Sequence, residues 1–270
     1  MQGGRRMSLL EYRPALIFCV VMAAALGAVM GSFLNCAAYR LARGESFVTG
    51  RSRCPKCGHT LTAAELIPVL SWLIQRGRCR ACGERISARY PLTELAFALV
   101  TVLCLLRFGL TVLCLRNYIF LCCLFVLTLT DLDAMIIPDG CHIVAALAWL
   151  AAAPFVSQSW VRDALTGLLS ALVYGGGLLI VSLILDRVLG RESLGGGDIK
   201  LFAVVGLYLG LVGTLFALML ACVAGLLFGK LARREGGDRA FPFGPSIALA
   251  AAAMLLYGAP LVNWYQGLLS

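Results

Sequence analysis

The stretch GGGDIK, residues 195–200, separates two long apolar runs. Three consecutive glycines disfavour a stable helix, because each costs about 1 kcal/mol there relative to alanine. Such backbone at the edge of a membrane is tolerated only where it is buried in protein or lines a wet cavity. The carboxylate of Asp198 follows directly, so the stretch predicts a functional site at a membrane surface.

The composition is that of a membrane protein. Of 270 residues, 60% are hydrophobic and 14% are charged, against roughly 45–50% and 25% in soluble domains. Mean hydropathy is +0.89, and several runs reach the ~20 residues that cross about 30 Å of hydrocarbon. We therefore predict an all-α polytopic integral membrane protein that contacts lipid. Basic residues on one membrane face explain the net charge of +9 without nucleic acid as a partner.

About eight transmembrane helices are predicted. An apolar run over 15–38 comes first, and a polar, basic loop of about fifty residues then extends from Arg40 to Pro91. The later apolar runs cover 92–106, 110–130, 140–158, 163–186, 199–213, 214–228 and 244–260. The division between the runs 199–213 and 214–228 is predicted from the glycines at 206, 210 and 213. This pattern divides the chain into a first span (1–39), the loop (40–91) and a transmembrane core (92–270).

The distribution of Lys and Arg predicts the orientation of the chain. Ten of the 23 fall in the loop, and seven more fall in the two segments that share its side if the chain crosses eight times. Because cytoplasmic segments carry the excess of basic residues, the loop is predicted inside and both termini outside. Arg5, Arg6 and Arg13 oppose this orientation. With eight spans, Asp131 and Asp198 both fall at cytoplasmic helix ends.

Two Cys-x-x-Cys pairs in the loop indicate a metal site. Cys54 and Cys57 are separated from Cys79 and Cys82 by 21 residues, close to the usual 15–20 between zinc-binding pairs. Two intervening residues let both thiolates of a pair reach one tetrahedral ion, and the glycine after each pair permits the tight turn. Four protein ligands leave no open position, so a structural Zn²⁺ is predicted. A pair of redox or disulfide motifs is the alternative.

Two other features of the loop are less specific. His59 is a substitute ligand by residue type, but with four thiols present it is predicted to be a bystander. The apolar stretch 61–74, which contains Pro68 and Trp72, either lies flat at the lipid interface or packs over the cysteine turns.

Two aspartates are predicted to form a catalytic pair. Asp131 is the deepest residue of an acidic cluster that closes an apolar run, and a carboxylate in a span is a functional candidate by default. If the helix continues, Asp131 and Asp133 point about 200° apart, so the second carboxylate must come from another segment. Asp198 is the best placed. Two carboxylates in a partly dry site share one proton, and the charged one then activates a water while the protonated one binds the carbonyl.

On these residues the sequence resembles the bifunctional type IV prepilin peptidases, the leader peptidase/N-methyltransferases of pilus and type II secretion systems. The resemblance covers about residues 31 to 246. Its marks are GSFLN (31–35), YR (39–40), the two cysteine pairs around ELIPVLSW (65–72), ISARYP (86–91) with Glu94, DLD (131–133) before IPD (137–139), GGGDIKL (195–201) and PFGP (242–245).

The resemblance implies an intramembrane aspartyl protease of the Gly-x-Gly-Asp type, with Asp131 and Asp198 as its catalytic pair. Prepilins and pseudopilins are the implied substrates: a short basic leader is cut after a glycine, at the cytoplasmic face of the bacterial inner membrane. The new amino terminus is then methylated with S-adenosylmethionine, and the zinc loop is tied to this methylating form. Supporting roles near the pair are expected for Gly195, Gly197, Lys200 and Pro138. For the methyl donor, residues 31–35 are a candidate by family likeness alone.

Two other functions use the same residues. A proton- or ion-coupled transporter with a regulatory zinc loop would also need carboxylates in its spans. A scaffold for a secretion complex would tolerate replacement of both aspartates.

Overall fold

The described residues of the computed structural model, 13–47, 50–191, 193–234 and 242–269, form helices with no β-strand among them. The all-α prediction is confirmed. Arg5, Arg6 and Arg239, which the orientation count uses, lie outside these residues. The helices are α1 (Arg13–Leu41), α2 (Leu70–Ile74), α3 (Arg89–Phe108), α4 (Val112–Ala134), α5 (Asp139–Val156), α6 (Trp160–Leu189), α7 (Gly196–Arg234), α8 (Gly244–Tyr257) and α9 (Ala259–Leu269), with a 3-10 turn at Ala63–Leu66.

The chain forms two compact units. The first contains α1 up to residue 37 together with 46–110, and the second contains 38–45 and everything from 111 onward. In the first unit, α1 and α3 pack antiparallel through small residues. A Cβ on Gly27 would lie 2.5 Å from Thr101 Oγ1, and one on Gly31 would lie 3.1 Å from the Glu94 backbone. Glycine at these positions lets the two helices approach closely, as membrane helices commonly do.

The second unit packs α6 against α7 by the same means. Gly175 lies against Ala203, and the backbone of Ala171 lies 2.9 Å from where a Cβ on Gly206 would be. A hydrogen bond and an aromatic stack, both made by one tyrosine, join other helices of this unit. Tyr208 of α7 donates its hydroxyl to the Ala145 carbonyl of α5 at 2.8 Å, and its ring stacks on Phe120 of α4 with centroids 4.0 Å apart.

Helix α7 reverses direction at Gly210, where φ is 67° and ψ is −176°. A straight helix would separate the Cα atoms of residues 198 and 225 by about 40 Å. Instead, Asp198 and Phe243 line the same cleft, and a Cβ on Gly225 would lie 2.7 Å from the Phe243 ring. Both arms of α7 therefore approach that cleft, and glycine supplies the positive φ that the reversal requires. The predicted division, between the runs 199–213 and 214–228, lies three residues further along the chain than the observed reversal.

Six of the described helices are long and apolar enough to cross a membrane, and α8 with α9, bent by 77°, would add a seventh. That count treats α7 as one span. Because α7 folds back, its two arms are separate helical segments, but the described residues give six or seven candidate spans against the predicted eight. The first arm, 196–209, is about 21 Å long, short for a hydrocarbon core of about 30 Å.

Candidate active site

Asp131 lies in the last turn of α4, where its side chain is held by a backbone donor from a distant part of the chain. The residue is buried, and Gly244 donates its N–H to Asp131 Oδ2 at 2.8 Å. A Cβ on Gly244 would lie 2.6 Å from the same oxygen. Only glycine therefore fits at this position with the carboxylate in place. Helix α4 ends just beyond, at Met135, whose φ of 54° turns the chain away.

Asp198 lies in the first turn of α7, directly after the glycines that the sequence singles out. Its backbone N–H donates to the carbonyl of Gly195 at 3.0 Å, which forms the turn that starts the helix. Its Oδ1 is buried and has no hydrogen-bond partner among the described residues. A buried carboxylate oxygen without a partner is uncommon in folded proteins, and it suits a position that a water or a substrate group occupies.

The three glycines before Asp198 are not equivalent. A Cβ on Gly197 would lie 2.9 Å from the Cβ of Ile137, and one on Gly195 would lie 3.1 Å from Asp198 Oδ2. A Cβ on Gly196 would meet nothing within 4 Å. Contact with Ile137 therefore requires glycine at 197, and contact with the Asp198 carboxylate restricts the side chain at 195. Position 196 has room for a side chain.

The two aspartates that the sequence pairs, 67 residues apart, line one cleft of about 460 Å³. Its other lining residues are Met135, Ser193, Leu194, Gly195, Pro242 and Phe243. The cleft is therefore a carboxylate pair framed by apolar side chains. A second cavity, of about 250 Å³, surrounds Arg116 near the reversal of α7 and contains neither aspartate.

An ion pair links the two segments that carry the acidic motifs. Lys200 Nζ lies 2.7 Å from Asp139 Oδ1, although the residues are 61 positions apart in sequence. Both side chains are more than half exposed, and the buried His142 lies 3.9 Å from the same oxygen. Pro138 is the N-cap residue of α5, so it fixes where that helix starts.

Sequence reasoning did not find two of these contacts. The Gly244 N–H is a backbone group, and no side-chain pattern marks it as a partner of Asp131. The sequence showed Asp139 only as part of the IPD motif. A lysine at the start of an apolar run, such as Lys200, was the signal that could have indicated an acidic partner.

The four loop cysteines form a single cluster in the first unit. Their sulfur atoms all lie within 4.8 Å of one another, and Cys54 Sγ is 4.0 Å from Cys82 Sγ. Each pair forms the same turn: Gly58 donates its N–H to the Cys54 carbonyl and Gly83 donates to that of Cys79, both at 2.9 Å. Gly58 and Gly83 have φ of 71° and 72°, as predicted for glycines in such turns. The chemistry and spacing of the four thiols fit a tetrahedral Zn²⁺.

His59 is not part of the cluster, in agreement with the prediction. Its Nε2 lies 3.3 Å from Oε2 of the buried Glu65. The Thr62 backbone N–H and hydroxyl each donate to the same carboxylate at 2.9 Å. These donors, with His59, lower the pKa of Glu65 to about 2. The carboxylate therefore stays charged at neutral pH and fixes the start of the 3-10 turn.

The fold and this cleft define an all-helical, polytopic membrane protein with two aspartates at neighbouring helix ends. Residues 25–108 match the family model described as the bacterial peptidase A24 N-terminal domain, and residues 118–230 match that of the type IV leader peptidase family. The chain belongs to the type IV leader peptidase family.

Three curated relatives are named prepilin leader peptidase/N-methyltransferase. The Bacillus subtilis (strain 168) protein is 37% identical over 244 residues, covering 88% of this chain and 94% of the relative. The Pseudomonas putida protein is 35% identical, with coverage of 89% and 91%. The Aeromonas salmonicida (strain A449) protein is 34% identical, with coverage of 80% and 74%. No solved structure matches the chain. The transporter interpretation finds no support among these relatives.

Proposed function

We propose that this protein cleaves the leader peptide from type IV prepilins or pseudopilins and then methylates the new amino terminus with S-adenosylmethionine. Membership of the family and the names of the relatives support both activities. The observation that carries the peptidase assignment is the single cleft lined by Asp131 and Asp198.

In the proposed mechanism the two aspartates act as a unit that holds one proton. The charged carboxylate takes a proton from a water as that water attacks the scissile carbonyl, and the protonated carboxylate hydrogen-bonds the carbonyl oxygen. Gly244 keeps the Asp131 carboxylate in one orientation through Oδ2. The unpartnered Oδ1 of Asp198 is available to the water or the substrate. The pair should titrate with two apparent pKa values that belong to neither residue alone.

Zinc has a structural part in this proposal. Cys54, Cys57, Cys79 and Cys82 would hold the ion, and its binding would supply folding free energy that so small a loop lacks. S-adenosylmethionine enters as the methyl donor, and we assign no residues to its binding.

The membrane orientation is also part of the proposal. The excess of Lys and Arg supports a cytoplasmic loop at 40–91, with the Asp131–Asp198 cleft on the cytoplasmic face of the bacterial inner membrane and both termini in the periplasm.

One experiment tests both activities. Purified, membrane-reconstituted protein would be incubated with a prepilin and isotopically labelled S-adenosylmethionine, and the intact products weighed by mass spectrometry. We expect loss of the leader followed by the gain of one labelled methyl group on the mature chain. An unchanged prepilin mass, with the protein still folded and inserted, would refute the peptidase assignment.

Gly244→Ala should reduce leader cleavage by about 10²-fold, because the new Cβ forces Asp131 or the α8 backbone to move and misplacement by 1 Å has costs of that order. The matched control is Gly196→Ala, which meets nothing within 4 Å and should cleave at close to the wild-type rate. Initial rates of leader removal would be compared at equal amounts of folded protein. Equal rates for both variants would contradict the role given to Gly244.

Lys200→Met should slow cleavage by no more than about fivefold, because an exposed ion pair contributes only about 0.2–1 kcal/mol. The same limit applies to Asp139→Asn, and the double variant should lose no more than either single variant, because both remove one interaction. Initial cleavage rates of the three variants form the double-mutant cycle. A loss of several orders of magnitude for Lys200→Met alone would mean that Lys200 contacts the reacting groups.

A further inference from the structure

We propose that the segment Leu66–Ile74 is a membrane-interface anchor for the cysteine loop, lying in the headgroup region of an anionic bilayer and fixed there by Glu94. The segment and Glu94 both lie in the first unit, whereas Asp131 and Asp198 lie in the second.

The segment presents apolar side chains outward. Trp72 packs beside the second cysteine turn: its indole N–H donates to the Ile86 carbonyl at 3.0 Å, and a Cβ on Gly77 would lie 2.9 Å from its ring. The outward-facing set is Leu66, Ile67, Leu70, Leu73 and Ile74, with Leu73 57% and Ile74 72% exposed. Packing over the cysteine turns therefore applies to Trp72, and contact with the lipid interface applies to the five aliphatic residues. A patch of five exposed aliphatic side chains needs an apolar environment.

A buried carboxylate ties this segment to the start of a membrane span. Glu94 of α3 is buried, and its Oε2 accepts the backbone N–H of Val69 at 2.7 Å. Val69 has φ of 60° and ψ of −51°, a conformation that is costly for a β-branched residue and persists only when its surroundings hold it. The bond to Glu94 supplies such a restraint, so the position of the segment is specified rather than incidental.

The depth of the contact corresponds to the membrane boundary. Glu94 comes five residues after Arg89, the last basic residue before the apolar part of α3, which places it about 7–8 Å along the helix axis. At this level α3 exposes Tyr90 and Leu92 outward, and an aromatic residue next to aliphatic ones is typical of a membrane interface. The anchored segment is therefore tied to the turn of α3 that exposes these side chains.

The positive charge of the loop indicates that the segment contacts an anionic bilayer. Residues 40–91 contain ten Lys and Arg but three acidic residues. One of those acids, Glu65, is buried in its own hydrogen-bond network. The exposed basic side chains of this loop include Arg51, Arg53, Lys56, Arg76, Arg78, Arg80 and Arg85. Basic residues around an apolar patch bind anionic lipid through both headgroup charge and acyl-chain contact.

Photolabelling of the full-length protein tests this assignment. The protein would be reconstituted in vesicles of phosphatidylethanolamine and phosphatidylglycerol that carry a lipid with a photoactivatable carbene precursor near the glycerol. After irradiation, mass spectrometry would locate the label by residue. We expect severalfold more label on 66–74 than on the second cysteine turn, 79–85. Equal labelling of the two would overturn the proposal, because the segment would then contact lipid no more than the cysteine turn does.

A prepilin helix is the rival occupant of this surface, and the same measurement separates the two. Adding excess prepilin should leave the lipid labelling of 66–74 unchanged. Loss of the label on adding prepilin would overturn the proposal and assign the surface to substrate.

Matched variants test the patch and its restraint separately. Leu70→Glu with Leu73→Glu should remove the labelling of Ile67 and Ile74, whereas Arg162→Glu, which changes the net charge equally at an exposed position of α6 in the second unit, should preserve it. Glu94→Ala should reduce the labelling severalfold because Val69 loses its acceptor, and Glu94→Gln, which keeps an acceptor oxygen, should restore it. Equal labelling in the Ala and Gln variants would overturn the positioning role of Glu94. Retained zinc content would show that each variant is folded.

Discussion

Asp131→Asn and Asp198→Asn should each lower the rate of leader cleavage by about 10³-fold or more, the upper part of the range for loss of general acid–base catalysis. The amide keeps the volume of the carboxylate but can neither take a proton from water nor share one with its partner. Because the two residues act as a unit, the double variant should be no slower than either single variant. Initial rates of leader removal from a purified prepilin, with the enzyme in lipid, would measure the loss.

Asp133→Asn is the matched control for this prediction. Asp133 is exposed and points about 200° away from Asp131 on α4, so the same chemical change should leave the rate within a few fold of wild type. Methylation of a pilin supplied already cut should persist in Asp131→Asn and Asp198→Asn, which shows that the protein is folded and inserted. Normal leader cleavage by either of these two variants would refute the catalytic assignment.

The sequence reveals the parts of this site whose chemistry depends on the type and spacing of side chains. An acidic residue at the end of an apolar run is costly unless it has a role, so Asp131 and Asp198 stand out. The cysteine pairs stand out because their spacing satisfies one tetrahedral ion. The reversal of α7 was expected near Gly206, Gly210 and Gly213, and the structure places it at Gly210.

Other parts depend on tertiary contacts that leave no local trace in the chain. The Gly244 N–H reaches Asp131 across 113 residues, and glycine there is required by a clash that only the folded structure reveals. The sequence likewise marks Val69 as an ordinary apolar residue, whereas the structure gives it a positive φ and a buried acceptor. Segments that are short for a full span, such as the first arm of α7, are also difficult to count from hydropathy alone.

Cys54→Ser and Cys82→Ser should each reduce the zinc content from about one ion per chain to nearly none. A serine hydroxyl does not ionise at neutral pH, so three thiolates would have to hold an ion that the site is built to hold with four. Since ion binding supplies folding free energy to the loop, we expect the rate of methylation to fall at least about tenfold. Leader cleavage should fall less, because Asp131 and Asp198 both lie in the second compact unit. Metal analysis and separate assays of the two reactions would measure these effects.

Cys222→Ser provides the matched control, because the same substitution is made at an exposed cysteine of α7 outside the cluster. It should leave the zinc content and both rates unchanged. Removal of zinc from the wild-type protein with a chelator should reproduce the Cys54→Ser rates, and added zinc should restore wild-type methylation but not that of the variant. Unchanged zinc content in Cys54→Ser and Cys82→Ser would contradict the ligand set. Equal losses of methylation and cleavage would mean instead that the metal supports the whole fold rather than the loop alone.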